Sequence, residues 1–246
     1  MALLANYPLL DTFGGVRNLE YDGNNLANVL VPASGVPGHF ELTGDGVKVT
    51  VNETDAETYG ERRAEMSFKH QLDPTGERWY TWKFMVPSIW NFNSGMAIMQ
   101  IHEASDSGDP AVAVQLVLLL ENGQLVARVP TDVLTPGTSS YNLATYPFAF
   151  DRWYSMCLHA NWTLDTKGFW EMFVDGIPMF KQYGIANAYD NVLGGYLKLG
   201  IYNYSGSSGW GTKSIYVKDV SIWSGNDGYQ AVMGTVPVKQ RRMQQL

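Results

Sequence analysis

Tyr196-Leu-Lys-Leu-Gly-Ile-Tyr-Asn-Tyr204 is the stretch of this chain that decides its fold. Apolar and polar residues alternate along it, which is the pattern of a β-strand with one face on a hydrophobic core. The core face carries Leu197, Leu199 and Ile201, and the opposite face carries Tyr196, Lys198, Gly200, Tyr202 and Tyr204. We expect Gly200 to leave a gap between Lys198 and Tyr202, in which a ligand can approach the backbone.

The same alternation recurs on both sides of this stretch, whereas helical spacing is hard to find. It predicts strands at residues 63–70, 80–86, 96–103, 115–120, 125–129, 153–162, 169–174 and 214–223. An aromatic content of 13%, 25 glycines and turn dipeptides such as Asp175-Gly176 fit an all-β chain. Many short antiparallel strands in one unit usually form two packed sheets, so we predict a two-sheet antiparallel β-sandwich of the jelly-roll type.

The domain organisation follows from length and composition. A chain of 246 residues with 45% apolar and 17% charged side chains can bury one sizeable core. We therefore predict a single domain over residues 1–235. Residues 236–246 are polar, locally basic and without alternation, which is typical of a tail. We expect a homo-oligomer or a larger assembly to form through this tail.

Composition also excludes several classes of protein. The net charge of −7 gives no basic surface for nucleic acid, and no apolar run is long enough to cross a membrane. Residues 1–8 lack the basic start of a secretory signal, so we expect a soluble protein that acts outside a cell only after lysis or within a virus particle. The single cysteine, Cys157, cannot form an internal disulfide and is expected to be a small core residue.

Two further strands combine a core face with a polar face. In Arg63-Ala-Glu-Met-Ser-Phe-Lys-His70, period two places Arg63, Glu65 and Ser67 together. In Met96-Ala-Ile-Met-Gln-Ile-His-Glu103, it places Gln100 and His102 on one face, beyond Met96 and Ile98. A polar strand face is ordinarily the solvent side of a sheet. These two strands and the strand at 196–204 nevertheless each carry polar residues beside a core face. We therefore predict that the three polar faces together line a groove.

These three stretches resemble a known family. Arg63-Ala-Glu65, Gln100-Ile-His102 and Tyr196-Leu-Lys-Leu-Gly-Ile-Tyr-Asn203 look like the signature strands of jelly-roll polysaccharide lyases, the alginate lyases above all, with glucuronan lyases as relatives. The resemblance covers roughly residues 60–223 by motif order and implies a concanavalin A-like sandwich. It departs at Ser67, where the alginate pattern has a second arginine, and at Tyr204, where it usually has glutamine. Both positions are expected to face the sugar, so another polyuronate is as good a substrate candidate as alginate.

The resemblance implies β-elimination on an acidic polysaccharide that contains uronic acid. Gln100 and Arg63 would neutralise the substrate carboxylate, His102 or Tyr202 would remove the C5 proton, and Tyr202 would protonate the leaving oxygen. Glu65 would orient Arg63. The expected substrate-binding residues are Glu65, Tyr196, Lys198, Asn203 and Tyr204. The scheme needs no cofactor and no catalytic metal.

Other interpretations remain open at this point. The same residues could form a lectin-like carbohydrate-binding groove without turnover, or belong to a structural protein of a virus particle, with Tyr196, Tyr204, Trp90 and Trp210 stacking on sugars. A glucanase is less well supported, because no strand shows a Glu-x-Asp-x-x-Glu pattern. Asp11 and Asp219 are candidate ligands of a structural calcium ion.

Overall fold

The computed structural model describes residues 3–7, 20–21, 24–25, 39–57, 61–68, 74–88, 90, 95–104, 114–131, 139–204 and 208–225. The strands are β1 (Leu3–Tyr7), β2 (Glu20–Tyr21), β3 (Asn24–Asn25), β4 (Phe40–Thr43), β5 (Gly46–Asn52), β6 (Arg63–Phe68), β7 (Gly76–Met85), β8 (Met96–Ala104), β9 (Leu116–Glu121), β10 (Gln124–Pro130), β11 (Ser140–Pro147), β12 (Trp153–Trp162), β13 (Gly168–Val174), β14 (Ile177–Ile185), β15 (Leu193–Tyr202) and β16 (Thr212–Ser224). The all-β prediction is confirmed. The predicted tail, residues 236–246, lies outside the described residues.

The strands form two antiparallel sheets. One sheet, here called the support sheet, has the order β14-β13-β12-β7-β16-β5-β4, with β1 also paired to β16. The other, here called the site sheet, has the order β11-β10-β9-β8-β15-β6-β2-β3. The predicted two-sheet sandwich is therefore confirmed. In the described part of the chain, no helix has the length and hydropathy that a membrane span requires.

A single large apolar cluster fills the space between the sheets. The support sheet contributes side chains such as Trp82 and Phe84, and the site sheet contributes Met66 and Leu199. Burying each such side chain contributes about 1.5–3 kcal/mol to folding. The core faces predicted for β6 and β15 are confirmed, because the residues that alternation assigned to them belong to this cluster: Ala64, Met66, Phe68, Leu197, Leu199 and Ile201.

The two tryptophans expected to stack on sugars belong to the same core. Trp90 is 5% exposed, and its Nε1 donates a hydrogen bond of 2.6 Å to the carbonyl oxygen of Ser214. Trp210 is equally buried and packs in the same cluster. The prediction that they bind sugar is wrong, because their large apolar rings are covered by the sandwich.

A β-bulge in β8 decides which way its second half faces. Ala97 pairs with Leu119 and Met99 pairs with Leu118, so Ile98 is an extra residue in β8. Before the bulge Ala97 points out of the sandwich, and after it Gln100 does so. The prediction that Met96 and Ile98 share the face of Gln100 is wrong, since both side chains lie in the core.

Gly200 lies where β15 and β6 come into close contact. A Cβ atom at this position would lie 2.1 Å from the carbonyl oxygen of Ala64 and 2.6 Å from the Cα atom of Glu65. The backbone of β6 therefore fills the space that we expected to be open to a ligand. The glycine allows β15 and β6 to approach closely, which holds the motifs of these two strands together.

Candidate active site

The three motif strands are neighbours in the site sheet, with β15 between β6 and β8. Their polar residues therefore lie in rows across the strands. The cross-strand partners are Tyr202 with Arg63, Gly200 with Glu65, Lys198 with both Ser67 and Gln100, and Tyr196 with His102. The structure thus brings the sequence-predicted residues onto one outward face of one sheet.

Glu65 is the centre of this face. Its Oε1 accepts a short hydrogen bond from the amide Nε2 of Gln100. Its Oε2 lies 3.7 Å from Nη1 of Arg63 and 3.6 Å from Nζ of Lys198. Glu65 is 2% exposed and Lys198 is 4% exposed, so this is a buried charge cluster. The carboxylate compensates two cations that would be costly to bury alone.

Arg63 also lies over the ring of Tyr202, with its guanidinium carbon 4.0 Å from the ring centroid. Tyr202 is half-buried, and burial raises the pKa of its phenol above the ordinary value of 10.0. The nearby charge of Arg63 acts in the opposite direction but does not outweigh burial. The phenol of Tyr202 therefore carries its proton at neutral pH, as a proton donor must.

His102 lies on the other side of the central cluster. Its ring centroid is 5.6 Å from that of Tyr196, at an interplanar angle of 35°. Because Gln100 and Lys198 form the next pair towards Tyr202, the imidazole and the phenol flank that pair along the strand direction. The two groups best able to move protons thus approach a ligand from different ends of the face.

Exposure divides the candidate residues into two groups. His102, Tyr202 and Tyr204 are half-buried and have accessible surface. The others are buried, namely Arg63, Glu65, Gln100, Tyr196, Lys198 and Asn203. Asn203 is 1% exposed and its backbone N–H donates to the carbonyl oxygen of Arg62, so the structure places it behind the accessible surface.

The two departures from the alginate-lyase pattern have different outcomes. Ser67 lies in the outward row of Lys198 and Gln100 and is buried like both of them, so its contact with the sugar stays a prediction. Tyr204 is half-buried, and its ring meets that of Tyr202 edge to face at a centroid distance of 5.8 Å. Tyr204 thus extends the aromatic surface beside the proposed proton donor.

One residue on this face was missed by the sequence reasoning. Arg128 in β10 lies with its guanidinium carbon 5.7 Å from the ring centroid of Tyr204. Its Nη2 is 3.0 Å from Oε2 of Glu121, and its Nε donates a 2.8 Å hydrogen bond to Oδ1 of Asn142. The signal was present, since alternation in the predicted strand 125–129 turns Arg128 away from the core side chains of Leu125 and Ala127.

A second polar cluster lies on the outer face of the support sheet. The ring nitrogens of His159 are 2.7 Å from Oε1 of Glu77 and 2.9 Å from Oε2 of Glu171. Burial alone would raise the pKa of Glu171, but hydrogen bonds from His159 and Tyr183 help to lower it to about 2. The sandwich separates these groups from the candidate active site, so they cannot act on the same sugar.

The structure gives no independent support for the calcium prediction. Asp11 lies outside the described residues. The Oδ2 atom of Asp219 is 2.7 Å from Nζ of Lys83. Among the residues that the structure describes, no group of three or more His, Cys, Asp or Glu side chains is arranged to hold a metal ion.

The family model for polysaccharide lyases, described as "Polysaccharide lyase", matches residues 39–221 of this chain. That match covers more than half of the sequence and includes all three motifs. The chain belongs to the polysaccharide lyase family. The enzyme class expected from the motifs is therefore confirmed. A comparison with curated proteins finds no match.

Solved structures show the same fold at low sequence identity. An endo-β-1,4-glucuronan lyase from the fungus Trichoderma reesei aligns with a TM-score of 0.59 and 18% identity, over 73% of this chain and 81% of that chain. An alginate lyase of polysaccharide lyase family 7 aligns with a TM-score of 0.65 and 16% identity, over 86% and 96%. An alginate lyase from Pseudomonas aeruginosa aligns with a TM-score of 0.57 and 19% identity, over 77% and 87%. The jelly-roll sandwich is shared with all three.

Proposed function

We propose that this protein cleaves a polysaccharide that contains uronic acid by β-elimination. The observation that carries the proposal is the placement of Arg63, Gln100, His102 and Tyr202 on one outward face of three adjacent strands. These residues supply a cation, an amide donor, an imidazole and a protonated phenol. The similar folds named as glucuronan and alginate lyases support the choice of an acidic substrate.

The first requirement is to stabilise charge on the substrate carboxylate as the C5 proton leaves. Fixed hydrogen-bond donors aimed at developing charge commonly lower the barrier of such reactions more than any other single effect. An amide has two N–H donors, and Gln100 uses one of them on Glu65. We assign its second N–H, together with the guanidinium of Arg63, to the substrate carboxylate.

The second requirement is to move two protons. We assign His102 as the base that accepts the C5 proton, and Tyr202 as the acid that donates to the O4 oxygen. The C5–H electron pair forms the C4–C5 double bond while the C4–O4 bond breaks, so atoms and charge balance. The raised pKa of Tyr202 supports this assignment, because the phenol is then protonated at neutral pH, as a general acid must be, and too little phenolate is present to act as the base.

The direct test is to incubate the protein with polyglucuronate, polymannuronate and polyguluronate and to follow the ultraviolet absorbance of the new double bond. We expect a rise with at least one polymer. The matched control is the His102→Ala variant, checked for folding by circular dichroism. A folded wild-type protein that leaves the whole panel unchanged would contradict the proposal.

One observation favours a second candidate function. Gln100 is 1% exposed and Lys198 is 4% exposed, so two of the proposed substrate contacts are covered in this structure. A groove that binds acidic polysaccharide without turnover, as in a lectin-like or structural protein of a virus particle, needs only the accessible aromatic and cationic groups. Calorimetric binding of the same polymers without any absorbance change would establish this alternative.

Assembly through residues 236–246 is a separate proposal, supported by the polar and locally basic composition of that segment. Deleting residues 238–246 should lower the sedimentation coefficient if a homo-oligomer forms through the tail. The same coefficient for the full-length and truncated proteins would contradict it.

A further inference from the structure

A shallow pocket lies beside the candidate active site, on the side of β10. Its cavity volume is about 70 Å³, and its lining includes Val117, Arg128, Val129, Pro130, Ser140 and Tyr204. The lining combines valine and proline residues with the ring of Tyr204, the guanidinium of Arg128 and the hydroxyl of Ser140. Sugar-binding sites combine such features, because a pyranose ring has both C–H faces and polar edges.

The guanidinium of Arg128 is held in place by neighbouring side chains, and one of its nitrogen atoms can still bind a ligand. Glu121 and Asn142 engage its Nη2 and Nε atoms, which fixes the plane of the guanidinium. Its side chain is 20% exposed. Within the described residues, its Nη1 atom donates no hydrogen bond to the protein. A guanidinium with fixed orientation and a remaining N–H edge is suited to a carboxylate.

The pocket is connected to the candidate active site through two rings. Arg63 lies over Tyr202, Tyr202 meets Tyr204 edge to face, and Arg128 lies beside the ring of Tyr204. The two guanidinium groups therefore stand at opposite ends of a pair of tyrosines. A polysaccharide chain that crosses this surface would present successive sugars to the two cations.

The strand register gives the same arrangement. Arg128 pairs with Val117, Val117 with Gln100, and Gln100 with Lys198, so these residues form one row across β10, β9, β8 and β15. With about 4.8 Å between neighbouring strands, the backbones of Arg128 and Gln100 are roughly 10 Å apart. At the other end of the row stands the neutral, buried Ser67. The accessible positive charge of this row therefore lies on the β10 side.

We propose that Arg128 binds the carboxylate of the uronate residue next to the one that reacts. This inference rests on the proposed function, and it narrows the substrate class to polymers with at least two consecutive uronates. A strictly alternating polymer of uronate and neutral sugar would place no carboxylate at Arg128. Arg128 is thus a specificity-determining residue outside the set that moves protons.

The test compares wild type, Arg128→Gln and Arg128→Lys on a homopolymeric polyuronate and on the same polymer with part of its carboxyl groups reduced to alcohols. We expect Arg128→Gln to raise KM for the homopolymer about 10- to 100-fold, with kcat within about two-fold of wild type. The lysine variant should fall between the two, and the effect of Arg128→Gln should shrink as more carboxyl groups are reduced. An unchanged KM, or a loss that is equal on both polymers, would overturn the proposal.

The matched control is Arg152→Gln. Arg152 likewise pairs with a carboxylate, that of Asp175, and lies 4.6 Å from the ring centroid of Tyr154, but it belongs to the support-sheet side of the molecule. Its substitution should leave KM unchanged. Should Arg128→Gln fail to fold because Glu121 loses its partner, the double variant with Glu121→Gln restores neutrality and takes its place.

The failure of this inference can be told from the failure of the proposed function. If wild type cleaves a polyuronate while Arg128→Gln has the same KM, only the inference is wrong. If wild type cleaves none, the proposed function is wrong. The carboxylate site at Arg128 is then tested by calorimetric binding of uronate oligosaccharides. Weaker binding by Arg128→Gln than by Arg152→Gln would support the carboxylate site, and equal binding would overturn it.

Discussion

The guanidinium carbon of Arg63 lies 4.0 Å from the centroid of the Tyr202 ring, and yet the pKa of Tyr202 is raised. A neighbouring cation favours the phenolate, whereas removal from water disfavours it. At Tyr202 burial is the larger effect. The pairing therefore orients the ring without ionising it, and it favours Tyr202 as an acid over Tyr202 as a base.

Replacing Tyr202 by phenylalanine should lower kcat about 10²- to 10⁴-fold, because only the proton-donating hydroxyl is removed. Stability should change by less than about 1 kcal/mol, measured by urea denaturation, since the ring and its contacts remain. The matched control is Tyr141→Phe, which removes a hydroxyl from an exposed tyrosine outside the site. Activity in Tyr202→Phe equal to that of this control would show that Tyr202 is not the donor.

The pH dependence of kcat/KM separates the two roles of Tyr202. With its pKa above 10.0, the protonated form predominates throughout the range below about pH 10. If Tyr202 acts as the acid, kcat/KM should therefore not rise between about pH 8 and pH 10. A phenolate base would predict an increase of about ten-fold for each pH unit in that range. Initial rates in buffers of constant ionic strength distinguish the two outcomes.

Replacing Glu65 by glutamine should destabilise the protein by about 3–5 kcal/mol, because Arg63 and Lys198 would then be buried without their shared counter-charge. Urea denaturation measures the change. The control is Glu41→Gln, which breaks an exposed ion pair with Lys48 and should cost less than about 1 kcal/mol. Similar costs for the two variants would mean that the cluster around Glu65 is open to water.

Replacing Gly200 by alanine should cost about 1–3 kcal/mol, since the added methyl group overlaps the backbone of Ala64 and Glu65. Separation of β15 from β6 should also reduce kcat. Gly44→Ala is the control, because a Cβ atom there meets nothing within 4 Å and the backbone φ is not positive. A Gly200→Ala protein as stable as Gly44→Ala would contradict the close approach of the two strands.

Alternation was enough to predict the fold and most of the candidate site. The two faces of β15 and β6 follow directly from the spacing of their apolar residues, and the structure confirms their core faces. The phase of β8 could not be predicted in this way. Met96, Ala97, Ile98 and Met99 are all apolar, so the extra residue leaves no mark in the pattern.

Other differences between the sequence-based predictions and the structure arise from tertiary contacts. Nothing in the local sequence shows that Trp90 reaches the backbone of Ser214, or that β6 occupies the space beside Gly200. Arg128 was visible as an outward residue of a predicted strand, but its place beside Tyr204 depends on the order of strands in the sheet. Strand order cannot be read from periodicity.

The extra residue in β8 makes this strand tolerant of a shorter chain at one point and intolerant of a longer one at the next. Deleting Ile98 would remove the bulge and leave Ala97 opposite Leu119 and Met99 opposite Leu118, so Gln100 and His102 would keep their outward direction. A residue inserted between Met99 and Gln100 would instead shift the alternation by one and turn both side chains towards the interior. Insertions at this point of β8 would therefore separate catalytic from non-catalytic descendants of one ancestor, whereas loss of Ile98 would not.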